Sequence, residues 1–110
     1  MEPFPNPPIA CNMNALSAEE RERRATLVKQ MARAKPAVDP LDDGFVFRFR
    51  NQPGIEDVLR ELIRLELRCC PFLVFEITPF PPEIIELRIR GPEGSKAVIM
   101  ENFRLEPRKP

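Results

Sequence analysis

Residues 55–75 read Ile55-Glu56-Asp57-Val58-Leu59-Arg60-Glu61-Leu62-Ile63-Arg64-Leu65-Glu66-Leu67-Arg68-Cys69-Cys70-Pro71-Phe72-Leu73-Val74-Phe75, and the fold turns on the change of period within them. At about 100° per residue, Ile55, Val58, Leu59, Leu62 and Ile63 share one helix face, while Asp57, Arg60, Glu61, Arg64 and Arg68 fill the opposite one. The spacing predicts a helix from Ile55 to Arg68, opened by Pro53-Gly54. Pro71 biases Cys70 out of helical geometry, so the helix ends at Cys69-Cys70. A strand then starts near Phe72, with Leu73, Phe75 and Ile77 alternating.

Upstream, Phe45-Val46-Phe47-Arg48-Phe49-Arg50 places three Phe on one side of a strand and two Arg on the other. Pro36, Pro40 and Asp42-Asp43-Gly44 before it read as a connecting loop. Ser17 with Glu20 forms a capping-box pattern ahead of a first helix that runs to Ala34 and stops at Lys35-Pro36. Its apolar stripe is thin, chiefly Leu27, Val28 and Met31. Downstream, the turn Pro79-Phe80-Pro81-Pro82 leads into a third strand in which Ile85, Leu87 and Ile89 alternate with Glu86, Arg88 and Arg90. Gly91-Pro92-Glu93-Gly94 turns into a last helix from Ser95 to Phe103.

These elements predict an α+β class: a small three-stranded antiparallel sheet in the order 1-3-2, a crossover helix, and an N-terminal helix. The arrangement is ferredoxin-like with one strand lacking. The expected organisation is a Pro-rich tail over residues 1–15, one domain over 16–105 and a short tail over 106–110. Leu59, Leu62, Phe47, Phe75, Leu87 and Ile89 are the expected core.

The chain has 110 residues, 17 basic and 17 acidic side chains, three Cys and no His. Without His, Ser-His-Asp and Cys-His catalysis and His-bearing zinc sites are excluded, which leaves Cys, Asp/Glu, Lys and Arg for any chemistry. Zero net charge argues against nucleic acid and anionic membranes as partners, because both reward a basic excess. No export signal or apolar run long enough to span a bilayer is present, and the expected location is the cytoplasm. Adjacent Cys69 and Cys70 have Cα atoms about 3.8 Å apart, too close for a relaxed disulfide. Cys11 lies in the Pro-rich tail, so three reduced thiols are the expectation.

With Ile55 at zero, Glu66 falls at about 20°, Cys69 at about 320° and Cys70 at about 60°. A carboxylate therefore sits in the middle of the apolar face, bracketed by two thiols one turn on. Two readings follow. In one, Glu66 pairs with an Arg such as Arg48 or Arg88 and the cysteines are inert core residues in a structural or partner-binding homodimeric module. In the other, Cys69, Cys70 and Glu66 bind a soft metal ion: Hg²⁺, Cu⁺ or Zn²⁺. A tail that folds back adds Cys11 as a third sulfur. Catalysis is disfavoured, since neither a CxxC pair nor a helix N-terminus activates these thiols. The sequence reading therefore favours a non-catalytic thiol protein responding to a soft metal through its vicinal Cys pair.

The string Arg64 to Phe75, followed by Gly91-Pro92-Glu93-Gly94-Ser95-Lys96, resembles a family of short, mostly uncharacterised bacterial proteins. Their shared signature is Glu-x-x-Cys-Cys-Pro-Phe-x-x-Phe and then Gly-Pro-Glu-Gly-x-Lys, and Met13 to Arg21 resembles their usual start. The resemblance implies a loose association with mercury-type resistance and regulation. Residues 1–12, and Cys11 with them, fall outside it.

Elsewhere, Gly91 to Lys96 reads as a turn and cap, with an anion at the helix start as the alternative. Arg48, Arg50, Arg88 and Arg90 interleave with Glu76 and Glu86 as a solvated face or subunit interface. The open sheet edges and the apolar Val46, Val74 and Ile84 on that face predict a symmetric homodimer.

Overall fold

The computed structural model describes residues 11–80 and 83–103. A short 3₁₀ turn, Met13–Ala15, precedes α1 (Ala18–Arg33), β1 (Ala37–Leu41), β2 (Gly44–Arg50), α2 (Ile55–Cys69), β3 (Val74–Phe80), β4 (Ile84–Arg90) and α3 (Ser95–Asn102). The α1 capping box is formed: Ser17 Oγ accepts from the Glu20 backbone N–H at 3.1 Å, and the Glu20 carboxylate accepts from the Ser17 N–H at 2.9 Å. Leu27, Val28 and Met31 are its buried residues. Lys35, at φ 51°, turns the chain out of the helix into Pro36.

The sheet corrects the sequence expectation. It has four antiparallel strands in the order β1-β2-β4-β3, in place of three in the order 1-3-2. The added strand is the stretch read as a loop. Val38 pairs with Phe47, Pro40 with Phe45 and Leu41 with Gly44, so Asp42 and Asp43 form the hairpin connection. Pro40 is accommodated because β1 is an edge strand, where one side of the backbone has no ladder to complete. Gly44 belongs to the strand and not the turn. A Cβ there would collide with the backbone carbonyl of Ile89 on β4, so close approach of the two strands requires glycine. β2 and β3 both run antiparallel to β4, which makes β2–α2–β3 a crossover with β4 lying between its strands.

The inward residues Phe45, Phe47, Phe49, Ile85, Leu87 and Ile89 join Leu27, Leu59, Leu62 and Ile99 of the helices in one core. Phe75 is only half-buried, contrary to expectation. It sits on β3, the other edge strand, whereas α3 packs on the central strands β2 and β4. Opposite the core, Arg48 bonds Glu86 at 2.8 Å and Asp39 at 2.5 Å, Arg88 reaches Glu86 at 2.8 Å, and Arg90 approaches Glu76 at 3.6 Å. Arg48, Arg88 and Arg90 are thus met by acids of the same face. Val46 is buried beneath them, while Val74 and Ile84 are exposed.

Of the expected tails, residues 1–10 and 106–110 lie outside the described residues. Residues 11–15 are held against the domain: Arg21 Nη1 donates to the Met13 and Leu16 carbonyls at 3.3 and 2.8 Å, and Arg68 Nη2 donates to the Ala15 carbonyl at 3.3 Å. No helix among the described residues is long and apolar enough to cross a membrane.

Candidate thiol site

The C-terminal turn of α2 gathers Glu66, Cys69 and Cys70 because residues three and four apart on a helix are neighbours. Glu66 and both cysteines are fully buried. The backbone N–H of Cys70 still closes a helical bond to the Glu66 carbonyl at 2.6 Å, but its ψ of 65° takes the chain out of the helix towards Pro71. That exit turns the Cys70 side chain back along α2. Its Sγ lies 3.6 Å from Glu66 Oε1 and 3.7 Å from Cys69 Sγ, and Cys69 Sγ lies 4.0 Å from Glu66 Oε2.

The partner of Glu66 is Arg24 of α1, whose Nε donates to Oε2, and not Arg48 or Arg88. Those two belong to the far face of the sheet, where acids occupy them. Arg24 was legible in principle. It lies three and four residues before the buried Leu27 and Val28, so the spacing places it on the same inward stripe.

The N-terminal segment completes the cluster. The Asn12 N–H donates to the Cys69 carbonyl at 2.7 Å, one of the carbonyls that a helix end leaves without an intrahelical partner. This bond sets half-buried Cys11 beside Cys70. The two form a disulfide with Cα atoms 4.5 Å apart, and buried Cys69 is the free thiol. The expectation of three reduced thiols is therefore corrected: the 59-residue separation is closed by the turn Met13–Ala15 docking on α2. Cys11 Sγ, Cys70 Sγ and a Glu66 carboxylate oxygen all fall within 4.8 Å of one another. Asn102, at the end of α3, donates Nδ2 to Cys11 Sγ at 2.8 Å and to Cys70 Sγ at 3.5 Å. Nothing local in the sequence marks Asn102, since its role depends on where α3 packs.

Burial pushes the Cys69 thiol up, and the neighbouring Glu66 charge pushes it further, with Arg24 opposing both. A thiol held protonated in this way is a poor nucleophile on its own, but a coordinating cation would displace the proton. Beside the cluster, a cleft of about 360 Å³ has Arg24, Lys29, Asn102 and Phe103 among its walls.

The Gly91–Lys96 stretch turns the chain into α3 with Gly94 at φ 93° as the N-cap. Lys96 is committed elsewhere: its Nζ donates to the Leu41 carbonyl at 2.8 Å and lies 5.2 Å from the centroid of the Phe45 ring.

No family model, curated protein or solved structure matches the chain.

Proposed function

We propose that the chain is a non-catalytic thiol protein that, in its reduced form, binds or responds to a soft metal ion through Cys69 and Cys70, with Glu66 beside them. The observation that carries this reading is the convergence of both sulfurs and a buried carboxylate within 3.6–4.0 Å at the end of one helix. Thiolate sulfur selects Hg²⁺, Cu⁺ or Zn²⁺ over hard cations, and two or three sulfurs satisfy the low coordination numbers of such ions. Glu66 accepts a hydrogen bond from Arg24, which fixes its orientation and leaves an oxygen facing Cys70. Metal loading releases the thiol protons, and the carboxylate is placed to receive them. The resemblance noted in residues 64–75 and 91–96 points the same way.

Titration of the reduced protein with Hg²⁺, Cu⁺ and Zn²⁺ against a competing chelator tests the reading, alongside Cys69→Ser/Cys70→Ser. One-to-one binding far tighter than that of a free thiol, lost in the double variant, is expected. Equal binding by the variant would sink it. A second reading, a structural or partner-binding homodimer with inert cysteines, draws on the complete burial of Cys69 and Cys70. Thiols of the reduced protein that stay silent towards a thiol reagent until it unfolds would favour that module.

A further inference from the structure

We infer that Cys11 is both the third sulfur ligand of this site and its redox lock. The inference rests on the soft-metal reading and adds its regulation. In the oxidised protein Cys70 Sγ is bonded to Cys11 and cannot be a thiolate, which leaves Cys69 as the free thiol. A single buried sulfur beside a carboxylate already paired with Arg24 is no site for a soft cation, which needs at least two sulfurs. The oxidised form is closed.

Reduction creates the site in place, because the surrounding bonds do not involve the disulfide. Asn12 remains tied to the Cys69 carbonyl, and Arg21 and Arg68 hold the segment from Met13 to Leu16 through its carbonyls. Cys11 thus stays beside Cys70 after the bond is broken. Asn102 Nδ2, within reach of both sulfurs, remains as a donor to the thiolates that form. Cys11 Sγ, Cys70 Sγ and a Glu66 oxygen then lie within 4.8 Å of one another, with Cys69 Sγ 3.7 Å from Cys70 Sγ. Cys11 is also the half-buried member of a set otherwise sealed from solvent, so it is the sulfur through which a reductant and then a metal gain entry.

The electrons come from a dithiol reductant. Its first thiolate attacks Cys11 Sγ, the Cys11–Cys70 bond breaks, and Cys70 leaves as a thiolate. The reductant's second thiol attacks the resulting mixed disulfide, forms the reductant's own disulfide and releases Cys11. Two electrons and two protons pass from the reductant to the pair. A divalent cation binding to the three thiols then expels their three protons, which Glu66 receives in turn and passes on to the buffer. Cys69 does not close the alternative bridge to Cys70, since adjacent Cα atoms about 3.8 Å apart lie below ordinary disulfide geometry.

Cd²⁺ alone serves as the probe, because its sulfur-to-metal charge-transfer band reports the number of thiolates bound. Wild-type protein reduced with dithiothreitol and desalted anaerobically is compared with the same protein after diamide oxidation. Reduced protein is expected to bind one Cd²⁺ with the band of three thiolates, and oxidised protein to bind at least roughly a hundredfold more weakly. Reduced Cys11→Ser is expected to show two thiolates and roughly tenfold or greater loss of affinity, with the remaining binding insensitive to diamide. The wild-type comparison needs no substitution and stands whether or not the variant folds. Equal affinity of the two wild-type forms, or a reduced Cys11→Ser protein that binds Cd²⁺ as tightly as the reduced wild type, overturns the lock while the metal site survives. Failure of the reduced wild type to bind Cd²⁺ removes the metal reading itself, and the lock falls with it.

Discussion

Arg24 on α1 holds the carboxylate of Glu66 on α2, and Glu66 is wholly buried while the Arg24 side chain is 12% exposed. This pair ties the first helix to the thiol cluster and explains how a charge survives on the core-facing side of α2. Desolvation of each ion costs about as much as their attraction returns, and the pair is held by the single Nε–Oε2 contact, with Arg24 Nη2 buried and without a hydrogen-bond partner among the described residues.

Breaking the pair from one side should therefore be costly. Arg24→Ala strands a buried carboxylate, and urea unfolding should register a loss of about 3–5 kcal/mol. Arg24→Met/Glu66→Leu, which removes both charges and keeps volume, should recover most of it. A loss below about 1 kcal/mol for Arg24→Ala would show that the carboxylate escapes to solvent.

Leu62, 2% exposed at the centre of the core, should cost about 2–5 kcal/mol as Leu62→Ala, by lost burial and the cavity left behind. Phe75→Leu, on an edge strand and half-buried, should cost less in the same urea experiment. Reversal of that ranking would contradict the observed position of β3 at the sheet edge.

Cys69 gives a pH dependence of defined sign. Its thiol is pushed up in the folded protein by burial and by Glu66, so the folded state keeps its proton where the unfolded chain has lost it. The stabilisation is complete below the unfolded thiol value of about 8.5 and is lost as pH rises from there through the folded value. In the oxidised protein, where Cys69 is the free thiol, the stability difference between wild type and Cys69→Ala should shift against the wild type above that pH. Parallel profiles would refute the assignment.

Ser17→Ala removes the side-chain half of the α1 capping box and should lower stability by about 0.5–2 kcal/mol. Glu20 is held below the usual carboxylate range by the Ser17 backbone N–H and then by Arg68. Its contribution is present above the unfolded Glu value of about 4.3 and lost as pH falls through the lower folded value. The stability gap between wild type and Glu20→Gln should accordingly close on acidification, as followed by thermal melts.

Local pattern carried α2, the capping box and the alternating strands around Phe47 and Leu87, because each rests on neighbours within a few residues along the chain. The same regularity made Glu66 visible, as a charge at the wrong angle on an otherwise segregated helix. The turn vocabulary misled at Pro40 and Asp42-Asp43-Gly44. Proline and glycine there mark a strand edge and a close strand approach, and only the neighbouring strands distinguish those uses from a loop.

By itself the sequence determined the α+β class, the three helices and the gathering of Cys69 and Cys70 beside Glu66, because 3.6- and 2-residue periods and proline stereochemistry act locally. Tertiary structure alone decided that β1 completes a fourth strand, that Arg24 neutralises Glu66 across 42 residues, and that Cys11 bonds Cys70 across 59. Contacts at such separations have no periodic signal. They exist because the Met13–Ala15 turn, α1 and α3 pack where the buried faces of α2 and the sheet leave room for them, and that placement is a property of the whole core.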